Sequence, residues 1–341
     1  MKTILVLNQK GGVSKTSVCV ELASFLTQFP TTKKGANVLA IDMDAQQHFS
    51  KYVSADVVLE EEGRNGKIKE SKNAIDVLLA NEFILDAVQT IEVPRFLDKT
   101  AMSKAIYDRR QQLAADKKAV KENSKSADEA NKKCKELDEI AKKEIAEMKK
   151  QVFEEENPHP AIDVLPASKR LSSAGKMFIE EDDEYLLREI LHDEEVQEKY
   201  DYCIIDSAPA RSPLLSMSII AADYIIIPTD RDPGAIDGIE NTLQDIEVFM
   251  NKHETSAKIL GIYMTRFEKA AIQTVLEEDI MVTAEDYGIS VFDSFSKNSP
   301  ISKESRLSCQ SVAAYKSNCS LAYEYYDFVK ETLEKIKECE E

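Results

Sequence analysis

The residues most suited to chemistry lie in a glycine-containing turn near the start of the chain. An apolar run, Thr3–Asn8, leads directly into this turn, and a helical stretch begins at its far end. Glycines allow backbone N–H groups to turn inward around phosphate oxygens, and the helix N-terminus adds a positive dipole end. We expect Lys15 to reach the β- and γ-phosphates of a nucleotide and the Thr16 hydroxyl to bind Mg²⁺. The predicted phosphate-binding residues are Gly11, Gly12, Val13, Ser14, Lys15, Thr16 and Ser17.

Aspartates follow two later apolar runs. Asn37–Ile41 leads to Asp42 and Asp44, and Tyr202–Ile205 leads to Asp206. The carboxyl ends of parallel strands meet at one edge of a sheet, where ligands of α/β proteins bind. Carboxylates placed there suit phosphoryl transfer, which depends mainly on positioning and charge stabilisation. The structural alternative for the first pair is an aspartate that caps a helix.

The elements that must position these residues alternate along the chain. Short apolar runs recur between helical stretches, and most are continuous, which is typical of strands covered on both faces in a parallel sheet. This alternation predicts a doubly wound, mainly parallel α/β fold. The predicted strands are Thr3–Asn8, Asn37–Asp42, Ile162–Pro166, Tyr202–Asp206, Tyr224–Pro228, Lys258–Thr265 and Ser290–Asp293. The predicted helices include Thr16–Gln28, Ile236–Asn251, Ile272–Tyr287 and Leu321–Lys337.

One segment, Asp98–Glu156, interrupts this alternation. It lacks glycine and proline, and Lys, Glu, Asp and Ala dominate it with nearly balanced charge. Two stripes of apolar residues at helical spacing flank the polar stretch Asn123–Ser126 and predict an inserted, coiled-coil-like helical hairpin. A single long charged helix and a partly disordered loop are the alternatives. We therefore expect one nucleotide-binding domain of residues 1–97 and 157–341, with the hairpin at 98–156.

Composition limits the class of protein. The 341 residues are 43% hydrophobic and 31% charged, which indicates a globular protein, and no apolar run approaches the length of a membrane span. The N-terminal apolar run is too short for a signal peptide, so we expect a cytoplasmic location. Six cysteines without a C-x-x-C pair indicate neither a zinc site nor a redox pair. The net charge of −18 opposes non-specific attraction to nucleic acid by the molecule as a whole.

The glycine-containing turn departs from the ordinary P-loop pattern, G-x-x-x-x-G-K-[ST], because Gln9 and Ser14 stand at its two glycine positions. A second lysine, Lys10, precedes the glycine pair instead. The turn resembles the deviant Walker A motif, K-G-G-x-x-K-[ST], of the ParA/MinD family of P-loop ATPases, and ParA partition ATPases most of all. The resemblance implies that Lys10 reaches across a dimer interface to the nucleotide of the other subunit. The family usually has glycine where Ser14 stands, so a positive φ there would strain the loop.

The aspartate motifs extend the resemblance. The stretch Asp42-Met43-Asp44-Ala45-Gln46 is similar to the D-x-D-P-Q switch of ParA proteins, with Ala45 in place of proline. The resemblance implies that Asp44 orients the attacking water and that Asp42 supports the metal and phosphate side. The strand ending in Asp206 resembles a Walker B strand, which implies that Asp206 holds Mg²⁺, together with Thr16.

Two further matches follow in the family's order. Ala221–Pro228 resembles its A-A-D-x-(apolar)-I-P strand, and Ala235–Gly238 resembles its A-[LI]-[ED]-G helix start. The loop between them binds adenine in related proteins, which implies nucleotide contacts from Pro228, Thr229 and Asp232. The resemblance covers roughly residues 1–95 and 160–335, and the segment 98–156 has no counterpart in the common pattern.

The resemblance implies a ParA-type partition ATPase that segregates a plasmid or chromosome. ATP and Mg²⁺ would drive dimerisation, the dimer would bind DNA non-specifically, and a ParB-like adaptor would stimulate slow hydrolysis through Lys10, Lys15 and Asp44. Such a protein is cytoplasmic, and nucleoid-associated if it binds DNA. An ATP-dependent positioning factor for a non-DNA cargo and a hydrolysis-deficient family member are the alternatives. The first is favoured by the negative charge, and the second by Ser14 and Ala45.

The sequence does not decide which basic residues would meet DNA. Candidates in the C-terminal third are Arg266, Lys269, Lys297, Lys303, Arg306 and Lys316, and the inserted segment offers Lys117, Lys118, Lys132, Lys133, Lys142 and Lys143. Each of them is equally consistent with ordinary solvated surface. A membrane-binding tail is not expected, because Lys335–Glu341 is too acidic for a basic amphipathic anchor.

Overall fold

A single eight-stranded sheet organises the chain. A computed structural model describes residues 1–28, 35–55, 72–80, 82–93, 108–110, 112–121, 127–151, 160–208, 211–252, 254–268 and 271–341. The strands are β1 (Lys2–Val6), β2 (Val38–Asp42), β3 (Gln89–Glu92), β4 (Ala161–Leu165), β5 (Tyr202–Asp206), β6 (Tyr224–Asp230), β7 (Lys258–Phe267) and β8 (Val291–Lys297). They lie in the order β3-β4-β2-β5-β1-β6-β7-β8.

Helices connect the strands. Those before β5 are α1 (Lys15–Leu26), α2 (His48–Tyr52), α3 (Ala74–Leu78), α4 (Ile84–Ala87), α5 (residues 112–121), α6 (Ala127–Gln151), α7 (Ala174–Met177), α8 (Leu186–Leu191) and α9 (Glu194–Lys199). Those after β5 are α10 (Pro213–Ala221), α11 (Ala235–Asn251), α12 (Ala271–Asp286), α13 (Pro300–Leu307), α14 (Val312–Tyr315) and α15 (Ser320–Glu340). Two 3₁₀ turns, Lys169–Ser173 and Glu181–Tyr185, lie between β4 and α8.

The predicted doubly wound α/β fold is confirmed. Each pairing from β4 to β8 is parallel, and β3 alone of the eight strands pairs antiparallel, at the edge beside β4. Strand β3 was not predicted, because its four residues, Gln89–Glu92, alternate between half-buried and exposed side chains and form no continuous apolar run. The predicted end of β8, at Asp293, is too early, because the strand continues through the polar residues Ser294, Ser296 and Lys297.

Both faces of the sheet are covered. Alternate residues of β1 point into two separate apolar clusters: Leu5 packs in the cluster that contains α10 and α11, while Ile4 and Val6 pack in the cluster that contains α1 and α15. All three are fully buried. Burial on both faces explains why the strand sequences read as continuous apolar runs, and it holds the carboxyl ends of β1, β2, β5 and β6 rigidly side by side.

The free edge of β8 is covered by side chains of the terminal helix. The backbone N–H groups of Asp293 and Ser294 donate to the two carboxylate oxygens of Glu331, at 2.8 and 2.9 Å. The N–H of Lys297 donates to Glu324 at 2.8 Å. Both glutamates lie on α15, so this helix both fills the core below the sheet and satisfies the polar backbone at its edge.

Within the inserted segment, residues 108–110 and α5 are joined to α6 by ion pairs whose order along the chain is antiparallel. Arg109 binds Glu144 at 2.5 Å, and Lys117 binds Asp138 at 2.5 Å. The buried residues of α6 include Ala130, Cys134 and Ala141, which belong to the stripe singled out in the sequence. The proposed turn at 123–126 and both predicted boundaries of the segment lie outside the described residues, so the division into domains stays a prediction.

Glu21 is a carboxyl group buried completely within α1, in the core between that helix and α14. Its Oε1 accepts a hydrogen bond from the N–H of Val312 at 2.6 Å. Burial raises the pKa of Glu21 to about 8, and the N–H groups of Val312 and Ala313 oppose the shift. The folded protein therefore keeps this side chain protonated at neutral pH.

We expect this burial to make the free energy of unfolding depend on pH. Between the ordinary pKa of 4.5 and about 8, the unfolded chain ionises Glu21 while the folded chain holds its proton. Unfolding then releases a proton, so stability falls as pH rises through that window, by up to about 1.4 kcal/mol per pH unit. Glu21→Gln keeps the acceptor for Val312 and should remove this contribution. Urea unfolding across the window measures it, with Glu278→Gln on the exposed face of α12 as the control; equal slopes in all three proteins would contradict it.

Candidate functional site

The phosphate loop connects β1 to α1 at the carboxyl edge of the sheet. Gly12 has a φ of +83°, and Ser14, the residue before α1, has a φ of +68°. Lys15 is 8% exposed, and its Nζ donates to the backbone oxygens of Asn8 at 2.7 Å and of Lys10 at 3.0 Å. Burial lowers the pKa of Lys15, an effect that the carboxylates of Asp206 and Asp44 oppose. The loop therefore holds a desolvated ammonium group at the position where phosphate would bind.

Ser14 adopts the left-handed conformation that its position in the motif implied. A non-glycine residue in this conformation lowers the free energy of unfolding by roughly 1 kcal/mol, because its Cβ lies too close to the backbone. We expect Ser14→Gly to raise the free energy of unfolding by about 1 kcal/mol and to strengthen nucleotide binding. Ser54 supplies a matched control, because it has a φ of +59° outside the site. Ser54→Gly should raise stability similarly without changing nucleotide affinity, and urea unfolding with nucleotide titration compares the two; a Ser14→Gly protein less stable than wild type would contradict the expectation.

Two buried carboxylates meet at this edge because of strand register. Asp42 of β2 and Asp206 of β5 are direct partners across the sheet, and both are almost completely buried. The Thr16 hydroxyl donates to Asp206 Oδ2 at 2.8 Å. Asp42 accepts from the Ser50 hydroxyl at 2.7 Å, from the Ser50 N–H at 2.9 Å and from the Asp44 N–H at 3.1 Å. Asp42 thus accepts three hydrogen bonds, whereas Asp206 accepts from the Thr16 hydroxyl and from the Cys19 thiol, the latter at 3.5 Å.

These groups fit a divalent cation. Burial raises the pKa of Asp206, and the neighbouring Asp42 carboxylate raises it further. Burial also raises the pKa of Asp42, against the hydrogen bonds from Ser50. Two desolvated carboxyls side by side, with a hydroxyl next to them, form an all-oxygen set of the kind that Mg²⁺ prefers. Thr16 and Asp206 would hold the ion, with Asp42 beside Asp206 in the strand register, and Mg²⁺ at this site would neutralise charge on the phosphates.

Asp44 lies at the start of the turn that leads into α2. Its backbone N–H is fixed to Asp42, and its Oδ1 accepts from the Gln46 N–H at 2.9 Å. Gln47, the residue after Gln46, has a φ of +59° and donates through Nε2 to the Ala167 oxygen at 3.1 Å. This turn brings the carboxylate of Asp44 to the wall of the cleft that faces the phosphate loop.

Lys10 folds back onto its own chain. Its Nζ donates to Asp230 Oδ1 at 2.8 Å and also binds Asp232; Asp230 is the last residue of β6, and Asp232 lies two residues beyond it. Burial opposes the charge, but the hydrogen bonds to Asp230 and Asp232 raise the pKa of Lys10. Gly238 of α11 makes this path possible, because a Cβ there would lie 2.9 Å from the Cβ of Lys10. We call Lys10, Asp230 and Asp232 the lysine latch.

An open cleft of about 480 Å³ follows the phosphate loop. Of the residues predicted from the sequence it brings together Gly11, Gly12, Ser14, Lys15, Thr16, Ser17 and Asp44. Val13, Pro228 and Thr229 are buried beneath the surface and do not line it, and Asp232 belongs to the latch. None of Pro228, Thr229 and Asp232 lines this cleft, so the adenine contacts implied for them stay a prediction.

The sequence analysis missed several residues of the site. The cleft is also lined by Gln46, His48, Lys51, Tyr52, Ser207, Arg266, Arg306 and Cys309. Asn8 was missed as well: its Nδ2 donates to the Pro228 oxygen at 2.9 Å, and its Oδ1 accepts from the Lys10 N–H at 2.8 Å. The α2 residues His48, Lys51 and Tyr52 directly follow the stretch that resembles D-x-D-P-Q, so this motif could have indicated them. Arg306 and Cys309 lie far along the chain and carry no such motif.

Comparison with known proteins gives the family. The family model described as an AAA domain matches residues 1–262 of the 341. The chromosome-partitioning ATPase Soj of Treponema pallidum is 27% identical over 169 residues, which cover 49% of this chain and 65% of Soj. The chain belongs to the ParA/MinD-type family of P-loop ATPases. An uncharacterised protein of Methanocaldococcus jannaschii is 24% identical over 271 residues, 79% of this chain and 74% of that protein.

Solved structures share the fold of this ParA/MinD-type ATPase. Apo McdA from Cyanothece superposes with a TM-score of 0.66 at 18% identity, covering 98% of this chain and 99% of that one. A putative plasmid partition protein of Borrelia burgdorferi bound to AMPPNP has a TM-score of 0.61 at 18% identity, with coverage of 98% and 99%. Cobyrinic acid a,c-diamide synthase of Mycobacterium smegmatis with ADP and magnesium has a TM-score of 0.58 at 18% identity, with coverage of 93% and 91%. Nucleotide and Mg²⁺ binding are therefore found in proteins of this fold.

The ParA/MinD-type assignment does not by itself fix the cargo. The match to Soj spans about two thirds of that protein, and McdA and the Borrelia protein are similar at the level of fold. None of the helices in the described part of the chain is long and apolar enough to cross a membrane.

Proposed function

We propose that this ATPase is a ParA-type partition switch. ATP and Mg²⁺ bind at the phosphate loop, two subunits close face to face, and the closed dimer binds DNA non-specifically. A ParB-like adaptor then stimulates slow hydrolysis, and the dimer opens. In this scheme Lys15 and Thr16 hold the terminal phosphates, Asp206 faces the ion, and Asp44 orients the attacking water.

The position of Lys10 is the observation that carries the proposal. Its backbone oxygen is bound by Lys15 Nζ, while its side chain leaves the loop and is only 20% exposed within the lysine latch. The two latch carboxylates are anionic partners of Lys10 within the same subunit. In the proposed dimer, phosphate oxygens of the nucleotide on the other subunit would take their place. A lysine needed only for the nucleotide of its own subunit would have no reason to point away from Lys15. Lys10 is therefore placed to exchange one anionic partner for another when two subunits meet.

DNA binding with ATP compared with ADP tests the proposal. Binding of the intact protein to a random duplex should require ATP and Mg²⁺ and should weaken steeply as salt rises, because phosphate contacts release counterions. Binding that is equal with ATP and ADP, or insensitive to salt, would contradict it. The same samples should be examined for dimerisation, since ATP-driven dimers without DNA binding would separate the switch from its DNA cargo.

The basic residues available for DNA are fewer than the sequence suggested. Arg266 and Arg306 line the nucleotide cleft, and Lys297 is paired with Glu324 at 3.0 Å. Lys303 and Lys316 are exposed, and Lys269 lies outside the described residues. Lys303 and Lys316 are thus the DNA-contact candidates of the C-terminal third that remain among the described residues.

A second candidate function is ATP-dependent positioning of a non-DNA cargo. The net charge of −18 favours it, and so does the similarity of the fold to McdA, whose curated relatives are named for maintenance of carboxysome distribution. In that case the inserted segment with α5 and α6 is the place to look for the cargo. ATP-driven dimerisation without DNA binding in any nucleotide state would select this function over the first.

A further inference from the structure

The nucleotide cleft is also lined by residues from the C-terminal part of the chain that no motif indicates. Helix α13 forms part of it and carries Arg306. The guanidinium Nη2 of Arg306 donates to the Ser17 hydroxyl at 2.8 Å, in the first turn of α1. Ser17 follows Lys15 and Thr16 directly, so Arg306 contacts the phosphate-binding end of α1.

Arg306 is fixed in this position by buried contacts of its neighbour. Ser305 is completely buried, and its hydroxyl lies 3.0 Å from that of Tyr52, which is 2% exposed. The Arg306 guanidinium lies 5.6 Å from the centre of the Tyr52 ring. Packing against an aromatic face orients a planar guanidinium, and an oriented group loses less entropy when it binds a ligand.

The charge of the cleft wall fits a polyanion. Its lining contains Lys15, Lys51, Arg266 and Arg306, against the one carboxylate of Asp44. Within the described part of the chain, the hydrogen bond to Ser17 is the one recorded for the Arg306 side chain. A guanidinium has five N–H donors, so most of them can still bind phosphate oxygens.

We propose that Arg306 is a nucleotide-binding residue that contacts the phosphate chain at its nucleoside end. This inference rests on the proposed function in taking ATP and ADP as the ligands. Lys15 and Thr16 serve the terminal phosphates and the ion, and the backbone of the loop cradles the phosphates behind them. Arg306 approaches beyond them, at Ser17, so its contact is common to ATP and ADP. With this role, Arg306 is no longer one of the candidates for DNA contact.

Titration of fluorescent ATP and ADP analogues with Mg²⁺, in the absence of DNA, tests this assignment. Arg306→Ala should weaken both nucleotides by a similar factor of roughly ten or more, as for loss of a charge-assisted hydrogen bond. Arg306→Lys should recover part of the affinity, because the charge returns without the planar fork. The matched control is Lys303→Ala, an exposed cation on the same helix that does not line the cleft.

Each outcome decides the matter. Nucleotide affinities of Arg306→Ala that stay within about twofold of wild type overturn the proposal, since that is far less than one such hydrogen bond contributes. A loss for the ATP analogue alone overturns the placement at the nucleoside end. A loss of ATP-dependent DNA binding by both Arg306→Ala and Lys303→Ala, with nucleotide affinity unchanged, assigns Arg306 to a DNA surface. A wild-type protein that binds neither nucleotide rejects the proposed function, and this inference with it.

Discussion

Replacing Asp44 with alanine is expected to slow phosphate release by roughly a hundredfold or more, the usual contribution of a positioned acid or base. ATP affinity should stay close to that of wild type. Asp44 lies on the cleft wall facing the phosphate loop, where a carboxylate can orient water. Within the described part of the chain its side chain accepts a local hydrogen bond from the Gln46 N–H, and the buried residue that holds the turn is Asp42. Single-turnover release of phosphate, measured beside nucleotide titration, separates the two effects.

Asp44→Asn is the control for this experiment. Asparagine retains an oxygen that can accept from Gln46 and so preserves the turn, but it lacks the basic carboxylate. Equal losses in both variants assign the effect to the charge, whereas a loss confined to alanine assigns it to the shape of the turn. Unchanged phosphate release in both variants would remove Asp44 from the mechanism. If the wild-type protein releases no phosphate, whether or not DNA and a cell extract that contains its partners are added, the hydrolysis-deficient alternative is selected.

Lys10→Ala is expected to abolish ATP-driven dimerisation while leaving a folded monomer that still binds ATP. In the proposed dimer each subunit supplies one Lys10 to its partner's nucleotide, so two charge-assisted contacts are lost together. At about 1.5 kcal/mol each, the dimer constant should fall by at least roughly a hundredfold. Sedimentation equilibrium with ATP and Mg²⁺ measures this change.

A substitution in the lysine latch is expected to have the opposite effect and to strengthen ATP-driven dimerisation. Asp232→Asn weakens a contact that must break before Lys10 can reach a partner, so ATP should dimerise this protein at lower concentration than wild type. The gain should be modest, because Asp232 is half exposed and its ion pair is screened by solvent. Dimers of Lys10→Ala as stable as those of wild type would show that the subunits close without this residue.

The phosphate loop and its aspartates were predictable because they depend on local order in the chain. A continuous apolar strand, a glycine turn and a helix start define the first, and the register of parallel strands places Asp42 beside Asp206. The motif comparison also identified Ser14 as the position where a positive φ would cause strain, and the φ there is positive. These features needed no knowledge of distant contacts.

The partners of these residues were not predictable in the same way. Asp230 binds Lys10 from 220 residues away in the chain, and Arg306 reaches Ser17 from 289 residues away. Nothing local distinguishes Arg306 from Lys303, and only the packing of Ser305 against Tyr52 turns it toward the cleft. Edge strand β3 escaped notice for a related reason, since a half-exposed strand carries no continuous apolar run. Each of these features depends on where a residue lies in the folded chain, and that position is set by many residues together.

The glutamates of α15 that bind the outer edge of β8 restrict how copies of this chain can polymerise. An open strand edge is the simplest route by which proteins join end to end, because a second strand can add to it through backbone hydrogen bonds. Here Glu324 and Glu331 already accept from the N–H groups at positions 293, 294 and 297. Growth of a continuous intermolecular sheet from this side is closed. Any filament of the protein would have to be assembled from other surfaces, and its assembly would not need the release of Glu324 and Glu331 from β8.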